Sequence, residues 1–235
     1  MSASVSVIIP AFNEEKNITP VVDNLLAALE GEFCDYELLI FDDCSTDKTK
    51  EIVDAIAAVN QKVKVIHNEK NMGFGYNYRK GIELARFDYV GMIPGDGEIS
   101  AASIKKMYGL VGKAEIIIPY TVNRYIRPLS RRVISRLFTM VVNCLSGLNL
   151  EYYNGPVIHK RELIQSVGLT TDSFAFQAEA LVKLLKAGHS FIEVGMFLEK
   201  RRYGRSSAFK LKNILGVLKT ISMLWLSVHT HKKTV

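Results

Sequence analysis

The 235-residue chain is poor in cysteine, and its three cysteines, Cys34, Cys44 and Cys144, include no Cys-x-x-Cys pair. A disulfide framework and a cysteine zinc centre are thereby disfavoured, and a reducing, cytoplasmic setting fits. Cys34 and Cys144 read as small buried apolar groups. Long apolar runs are also missing. No stretch of about 18 uncharged apolar residues exists, so no membrane span is expected; residues 214–228 come nearest and are interrupted by Lys219. The N-terminus lacks a basic start and its apolar run breaks at Pro10, which argues against a signal peptide. Several motifs are absent as well. There is no Gly-x-Gly-x-x-Gly after the first strand, no Gly-x-x-x-x-Gly-Lys-Ser/Thr and no Gly-x-Ser-x-Gly. A dinucleotide cofactor, an ordinary phosphate-cradling NTPase loop and a hydrolase elbow are disfavoured. His67, His159 and His189 lack metal-ligand spacing and read as structural. The basic residues do not alternate with aromatics, which argues against nucleic acid as a partner.

The composition that remains is ordinary and globular, with 48% hydrophobic and 23% charged residues. Its charge is unevenly laid out. Residues 1–119 hold 12 Lys/Arg and 18 Asp/Glu, residues 120–198 hold 9 and 5, and residues 199–235 hold 9 and 1. The acidic and basic parts are expected to do different work, and basic surface suits phosphates or acidic lipid.

Strand and helix signals alternate through the first half. Strands are predicted at 5–9, 36–41, 63–66, 89–93 and 115–118. A first helix is predicted to open at Thr19-Pro20, with Thr as cap and Pro at the first helical position. A second is capped by Ser45-Thr46-Asp47, and others cover 73–85 and 100–110. This order implies right-handed βαβ units and a mostly parallel sheet. In the second half, helices are predicted at 129–145, 176–187 and 209–228, with strands at 152–159 and 190–198; residues 200–207 read as a basic loop.

Ligands of such sheets sit beyond the carboxyl ends of the strands. Those ends carry Pro10-Ala-Phe-Asn-Glu-Glu15, Asp42-Asp-Cys-Ser-Thr-Asp47, His67-Asn68 and Pro94-Gly-Asp-Gly-Glu98. Asp96 and Glu98, two residues apart on a turn with small neighbours, suit one Mg2+ or Mn2+ shared with substrate phosphates. The alternative is an acidic turn that caps the helix near Ser100.

Taken in order, these segments together with Asn71-Met-Gly73-Phe-Gly75 resemble the family 2 inverting glycosyltransferases of GT-A fold. Further on, Arg124, Arg131 and Ser135, Tyr153-Asn-Gly155, Phe174-x-Phe176-x-x-Glu179 and Arg202-Tyr-Gly-Arg-Ser-Ser207 resemble the branch containing dolichyl-phosphate mannose synthase and other polyprenyl-phosphate glycosyltransferases. The resemblance covers roughly residues 4–208. It implies a GT-A domain over 1–208, with a nucleotide-sugar half at 1–98 and an acceptor half at 99–208, followed by a basic amphipathic tail at 209–235.

The resemblance also implies roles. Pro10, Phe12 and Glu14 would line the base and ribose pocket. Asp42 and Asp43 would contact the nucleoside, Asp43 being favoured for the base, and Asn71 and Gly73 would shape the floor. Asp96 and Glu98 would hold the metal, Arg202 would close over the donor diphosphate, and Arg124, Arg131 and Ser135 would hold the acceptor phosphate. The donor would be GDP- or UDP-linked and the acceptor a polyprenyl phosphate at the cytoplasmic membrane face. A membrane-anchoring subunit or a second copy is a further expected partner. The family pattern Asp-x-Asp-x-Gln is altered here to Pro94-x-Asp96-x-Glu98, so one carboxylate is lost and another gained.

Two other readings stay open. A soluble enzyme of the same fold acting on a sugar hydroxyl would need a base, either Glu179 or Glu98; Glu179 also reads as a structural carboxylate paired to an arginine. A non-catalytic scaffold would retain the fold alone. Arg127, Arg132 and Arg136 read as a solvated helix face or membrane-surface charge. The tail, with Lys210, Lys212 and Lys219 opposite an apolar stripe and Trp225 near its end, reads as a helix lying on a membrane or packed on protein.

Overall fold

The computed structural model describes residues 3–168 and 176–200. A seven-stranded sheet runs through the molecule in the order β3-β2-β1-β4-β6-β5-β7. The strands are β1 Ser4–Ala11, β2 Asp35–Asp42, β3 Val63–His67, β4 Tyr89–Met92, β5 Ile116–Thr121, β6 Ile158–Lys160 and β7 Phe191–Met196. Among the described strands only β6 runs against its neighbours; β1 pairs in parallel with both β2 and β4. β1 is buried along its whole length, as a central strand covered on both faces must be, which is why its sequence is a nearly unbroken apolar run. Its two buried hydroxyls are both bonded: Ser4 donates to Asp88 Oδ2 at 2.7 Å and Ser6 to Glu37 Oε1 at 2.8 Å.

Among the described residues seven helices cover the sheet: α1 Ile18–Leu29, α2 Thr49–Val59, α3 Phe74–Leu84, α4 Ala101–Tyr108, α5 Leu129–Ser146, α6 Arg161–Ser166 and α7 Phe176–Lys186. Helices α1, α2 and α4 are joined through one core layer with Val7, Ile9 and Leu38; α3, α5, α6 and α7 contribute to the other, with Ile8, Phe41 and Tyr153. This mostly parallel, doubly covered sheet is the expected α/β class. The Cys34 and Cys144 thiols depart from expectation, since both residues are exposed.

Three local readings change. The first helix starts at Ile18, and Asn17, not Thr19, stands at its N-cap; the Asn17 side-chain Nδ2 turns back to donate to Glu14 Oε2 at 2.6 Å. The second starts at Thr49, and Asp47 Oδ1 accepts from the Thr49 amide at 2.9 Å and from its hydroxyl. The strand expected at 152–159 shrinks to Ile158–Lys160. The loop before it runs against β5 so closely that a Cβ on Gly155 would collide with the Pro119 carbonyl oxygen. His159 on β6 is fully buried, and burial lowers its pKa to about 3, so it is a neutral core residue near the Tyr78 hydroxyl. Helix α6 and a 3-10 turn at Arg124–Ile126 have no counterpart in the sequence reading.

Candidate nucleotide and anion site

Register brings the polar strand ends together. Ala11 lies beside Asp42, and Asp42 beside His67. β4 lies on the other side of β1, so Pro94–Glu98 follows a strand adjacent to the one that ends in Pro10–Ala11. This is the topological switch at which a crevice opens in such sheets.

The first two loops are stitched to one another. The Glu14 amide donates to Thr49 Oγ1 at 2.8 Å, and Asn13 Oδ1 accepts from the Thr46 amide at 2.8 Å. Asn13 and Cys44 take positive φ values of 56° and 63°. Such backbone is unfavourable without glycine and persists where surrounding bonds hold it. Pro10 and Glu14 are buried, whereas Phe12 stands out as an exposed ring at 44%. It offers an aromatic face to solvent at this rim.

Asp43 is nearly fully buried. Its Oδ1 accepts from Asn68 Nδ2 at 2.7 Å and from the Met72 amide at 2.8 Å, and its Oδ2 accepts from the Gly73 amide at 2.9 Å. Gly73 has φ 89°, which requires glycine. Asp43 thus ties the Asn71–Gly73 turn to the end of β2. Asn71 itself is exposed.

Asp42 is bound differently. Its Oδ1 accepts from the Ser45 amide at 3.1 Å, and its Oδ2 lies 2.9 Å from His67 Nδ1. The other ring nitrogen of His67 lies 2.9 Å from Asp54 Oδ1. Burial alone would lower the imidazole pKa, but the bonds to Asp42 and Asp54 outweigh it and raise it. The imidazolium can donate to both carboxylates, whereas the neutral ring has a single N–H. The stabilising contribution is therefore full below the unfolded histidine value and is lost as pH rises through the raised folded value. We expect His67→Asn to destabilise the protein more at pH 6 than at pH 9 in urea unfolding. An equal loss at both pH values would contradict the doubly bonded ring.

The acidic turn after β4 is positioned by glycines of two kinds. The Gly95 amide donates to the Pro10 carbonyl at 3.0 Å, and a Cβ there would meet that oxygen at 3.2 Å. Gly97 has φ 68°. The Ile93 amide donates to Ile8 O, so Pro94, lying between the two donors, falls where the β1 ladder requires no N–H. The α4 cap is Ser100, whose hydroxyl accepts from the Ser103 amide, and not either carboxylate. Asp96 and Glu98 are half-buried, with Asp96 Oδ1 accepting from the Glu98 amide at 3.1 Å. Among the described residues no three His, Cys, Asp or Glu side chains converge to hold a metal ion. Two carboxylates suffice for Mg2+ or Mn2+ only when substrate phosphates and water complete the shell. The turn fits that requirement. Asp96 also lines a cleft of about 340 Å3 with Asn17, Val21, Pro94 and Glu199.

Basic groups approach the turn from the second half of the chain. Arg127 Nη2 lies 3.6 Å from Glu98 Oε2, and its Nη1 donates to the Tyr152 hydroxyl at 3.3 Å. Arg127 therefore faces inward, contrary to the solvated or membrane-facing role expected for it. Arg131 is half-buried. Burial and the neighbouring Arg127 guanidinium push its pKa down, while Glu98 and Asp96 act in the opposite sense. Arg124 is engaged elsewhere: exposed, it pairs with Glu151 at 2.7 Å, and its Nε donates to Thr121 O. Ser135 follows Arg131 by one turn of α5 and is half-buried. Glu179 is buried in α7, with Lys183 Nζ 2.7 Å from its Oε1. Arg202, Phe174 and the 209–235 tail lie outside the described residues.

A doubly covered sheet with acidic loops along one strand-end rim, and arginines facing its acidic turn, defines a GT-A-type α/β fold. The chain belongs to glycosyl transferase family 2, whose model matches residues 6–183. The dodecaprenyl-phosphate galacturonate synthase of Rhizobium johnstonii is 25% identical over 74% of this chain and 53% of its own length. A dolichyl-phosphate beta-glucosyltransferase of Trichomonas vaginalis is 33% identical over 38% of this chain and 28% of its own length. The chain thus spans only about a quarter to a half of these relatives. An uncharacterized protein of Methanocaldococcus jannaschii is matched over 96% of its length at 28% identity. In fold, the chain resembles the glucosyl-3-phosphoglycerate synthase of Mycobacterium tuberculosis crystallised with UDP. The TM-score is 0.70 at 19% identity, covering 96% of this chain and 80% of that one.

Proposed function

We propose that this chain is a nucleotide-sugar-dependent inverting glycosyltransferase. It moves a hexosyl group from a GDP- or UDP-linked donor to a polyprenyl phosphate and works at a membrane surface. The observation that carries the reading is the placement of Arg127 and Arg131 against the Asp96–Glu98 turn: a cationic grip for an anionic acceptor beside the carboxylates of a donor site. Relatives named for dodecaprenyl-phosphate and dolichyl-phosphate transfer support the acceptor class.

In this reading residues 1–98 seat the donor and 99–208 the acceptor. Pro10, Phe12, Glu14 and Asp42 line the nucleoside pocket, while Asp43, Asn71 and Gly73 shape it from below. Asp96 and Glu98 would hold Mg2+ or Mn2+, the ions present with UDP in structures of similar fold. Such an ion, when bound, neutralises charge on the leaving diphosphate. Arg202, three residues beyond the Glu199 whose amide bonds Glu98 O at 2.7 Å, would add its charge to the same task. The bond from the anomeric carbon to the diphosphate breaks, and a bond to an acceptor phosphate oxygen forms on the opposite face. That oxygen is already anionic, so no general base is required, and Arg131 with Ser135 would hold it in line.

The outer face of α5 supports the membrane setting. Leu129, Val133, Leu137 and Met140 form an exposed apolar stripe along it, with Arg132 and Arg136 exposed alongside. Residues 120–150 contain no acidic side chain. An amphipathic, purely basic helix of this kind suits an anionic lipid interface. No described helix is long and apolar enough to cross a membrane.

A panel of labelled nucleotide sugars with polyprenyl phosphate tests the reading. Label entering the organic phase is expected with at least one GDP- or UDP-linked donor. Label transferred only to water-soluble glycans would favour a hydroxyl acceptor instead.

A further inference from the structure

We propose that Glu98 and Arg127 form a latch that couples the two halves of the site. Arg127 holds the Glu98 carboxylate until a divalent cation takes it, and the guanidinium so released joins Arg131 in gripping the anionic acceptor. The proposal rests on the reading of Asp96–Glu98 as the metal-holding turn and goes beyond it by joining metal binding to acceptor binding.

Three features of the pair argue for exchange over a fixed structural bridge. It is mostly buried, with side chains 18% and 15% exposed, yet it is long at 3.6 Å. A fixed arginine–carboxylate pair adopts a short, often two-pronged geometry. The guanidinium is also under-used. Its Nη1 donates to the Tyr152 hydroxyl, but Nε is buried and has no hydrogen-bond partner. A buried donor without an acceptor marks a place where another acceptor belongs. Lastly, Arg127 lies beside Arg131, and burial together with this like charge disfavours the charged form of Arg131. An anion between the two guanidinium groups relieves both, and a phosphate oxygen can also reach the idle Nε.

Glu98 makes the exchange conditional. Its amide donates to Asp96 and its carbonyl accepts from Glu199, so the backbone is held while the carboxylate meets Arg127. A glutamine at this position would be neutral and would hold Arg127 only weakly. The carboxylate therefore gives this chain a resting state that an amide would lack. By linkage, a cation that draws Glu98 away must strengthen acceptor binding, and the acceptor must strengthen cation binding by the same factor.

The test measures binding, not turnover. Mn2+ affinity in the presence of UDP is read by the spin-resonance signal of free Mn2+, and farnesyl phosphate binding by calorimetry. Full-length wild type, Arg127→Met, Arg127→Lys, Glu98→Gln and Arg127→Met/Glu98→Gln are compared. Arg127→Met is expected to bind Mn2+ severalfold more tightly, and this gain should vanish in the Glu98→Gln background. Arg132→Met, which removes an exposed charge from the adjoining helix α5, should leave Mn2+ affinity unchanged. Mn2+ with UDP is expected to tighten farnesyl phosphate binding severalfold in wild type. Glu98→Gln should bind farnesyl phosphate without Mn2+ as tightly as wild type does with it. Arg127→Lys keeps the charge and provides the comparison should the methionine variant fail to fold. Mn2+ affinity indifferent to Arg127, or farnesyl phosphate binding indifferent to Mn2+, would overturn the latch and leave the metal turn standing. Failure of wild type with UDP to bind Mn2+ would overturn both.

Discussion

Asp96→Asn should lower sugar transfer by about a hundredfold or more and leave the melting temperature nearly unchanged. Asp96 is half-buried, and its Oδ1 accepts from the Glu98 amide, a bond that an asparagine carbonyl oxygen can also accept. The fold therefore loses little. The charge is a different matter. With Pro94 in place of an acidic residue, Asp96 and Glu98 are the carboxylates this turn offers to a cation. Losing ~3 kcal/mol of stabilisation of the departing diphosphate costs about a hundredfold in rate. Turnover and thermal unfolding measured on one preparation separate chemistry from fold. Full activity of wild type in excess EDTA would refute the metal assignment outright.

Arg131→Ala should raise the KM for polyprenyl phosphate by about 10- to 100-fold, the size expected for a lost charge-assisted contact. Donor affinity should change far less. Arg131 lies on α5, in the second half of the chain, within electrostatic range of Arg127, Glu98, Tyr152 and Asp96. The first-half loops carry the proposed nucleoside contacts. Donor affinity by calorimetry and acceptor kinetics are the two readings. Collapse of donor affinity with unchanged acceptor kinetics would place Arg131 on the donor side.

The expected loss at Arg131 depends on a contact that sequence spacing could only partly reveal. Arg131 stands out in the sequence as part of an acid-free arginine segment, while its role at the acceptor remains the proposal tested above. Arg127 was misread because its inward turn depends on the 3-10 turn at Arg124–Ile126 and on Pro128, which sets the entry to α5. The spacing of four residues between Arg127 and Arg131 was the available signal. The β1–α4 half was read nearly whole, since each strand is an apolar run ended by Asp, Asn or Pro, and each helix has a clear apolar period. Helix starts were less legible. Thr19 looks like a cap, but Asn17 stands at the N-cap of the first helix; within the expected Ser45-Thr46-Asp47 cap of the second, Asp47 is the residue that bonds Thr49. The Asp42–His67 pair could not be read from either residue alone, because it arises from the register of β2 against β3.

The central claim is that the strand-end rim binds a nucleoside diphosphate through a cation held at Asp96. The most direct measurement is calorimetric titration of UDP and GDP into the full chain, with Mn2+ and again in excess EDTA. Saturable binding of at least one of them is expected with Mn2+, and it should be strongly weakened by EDTA and by Asp96→Asn. No binding of either nucleotide, or binding that ignores both the cation and Asp96, would contradict the account.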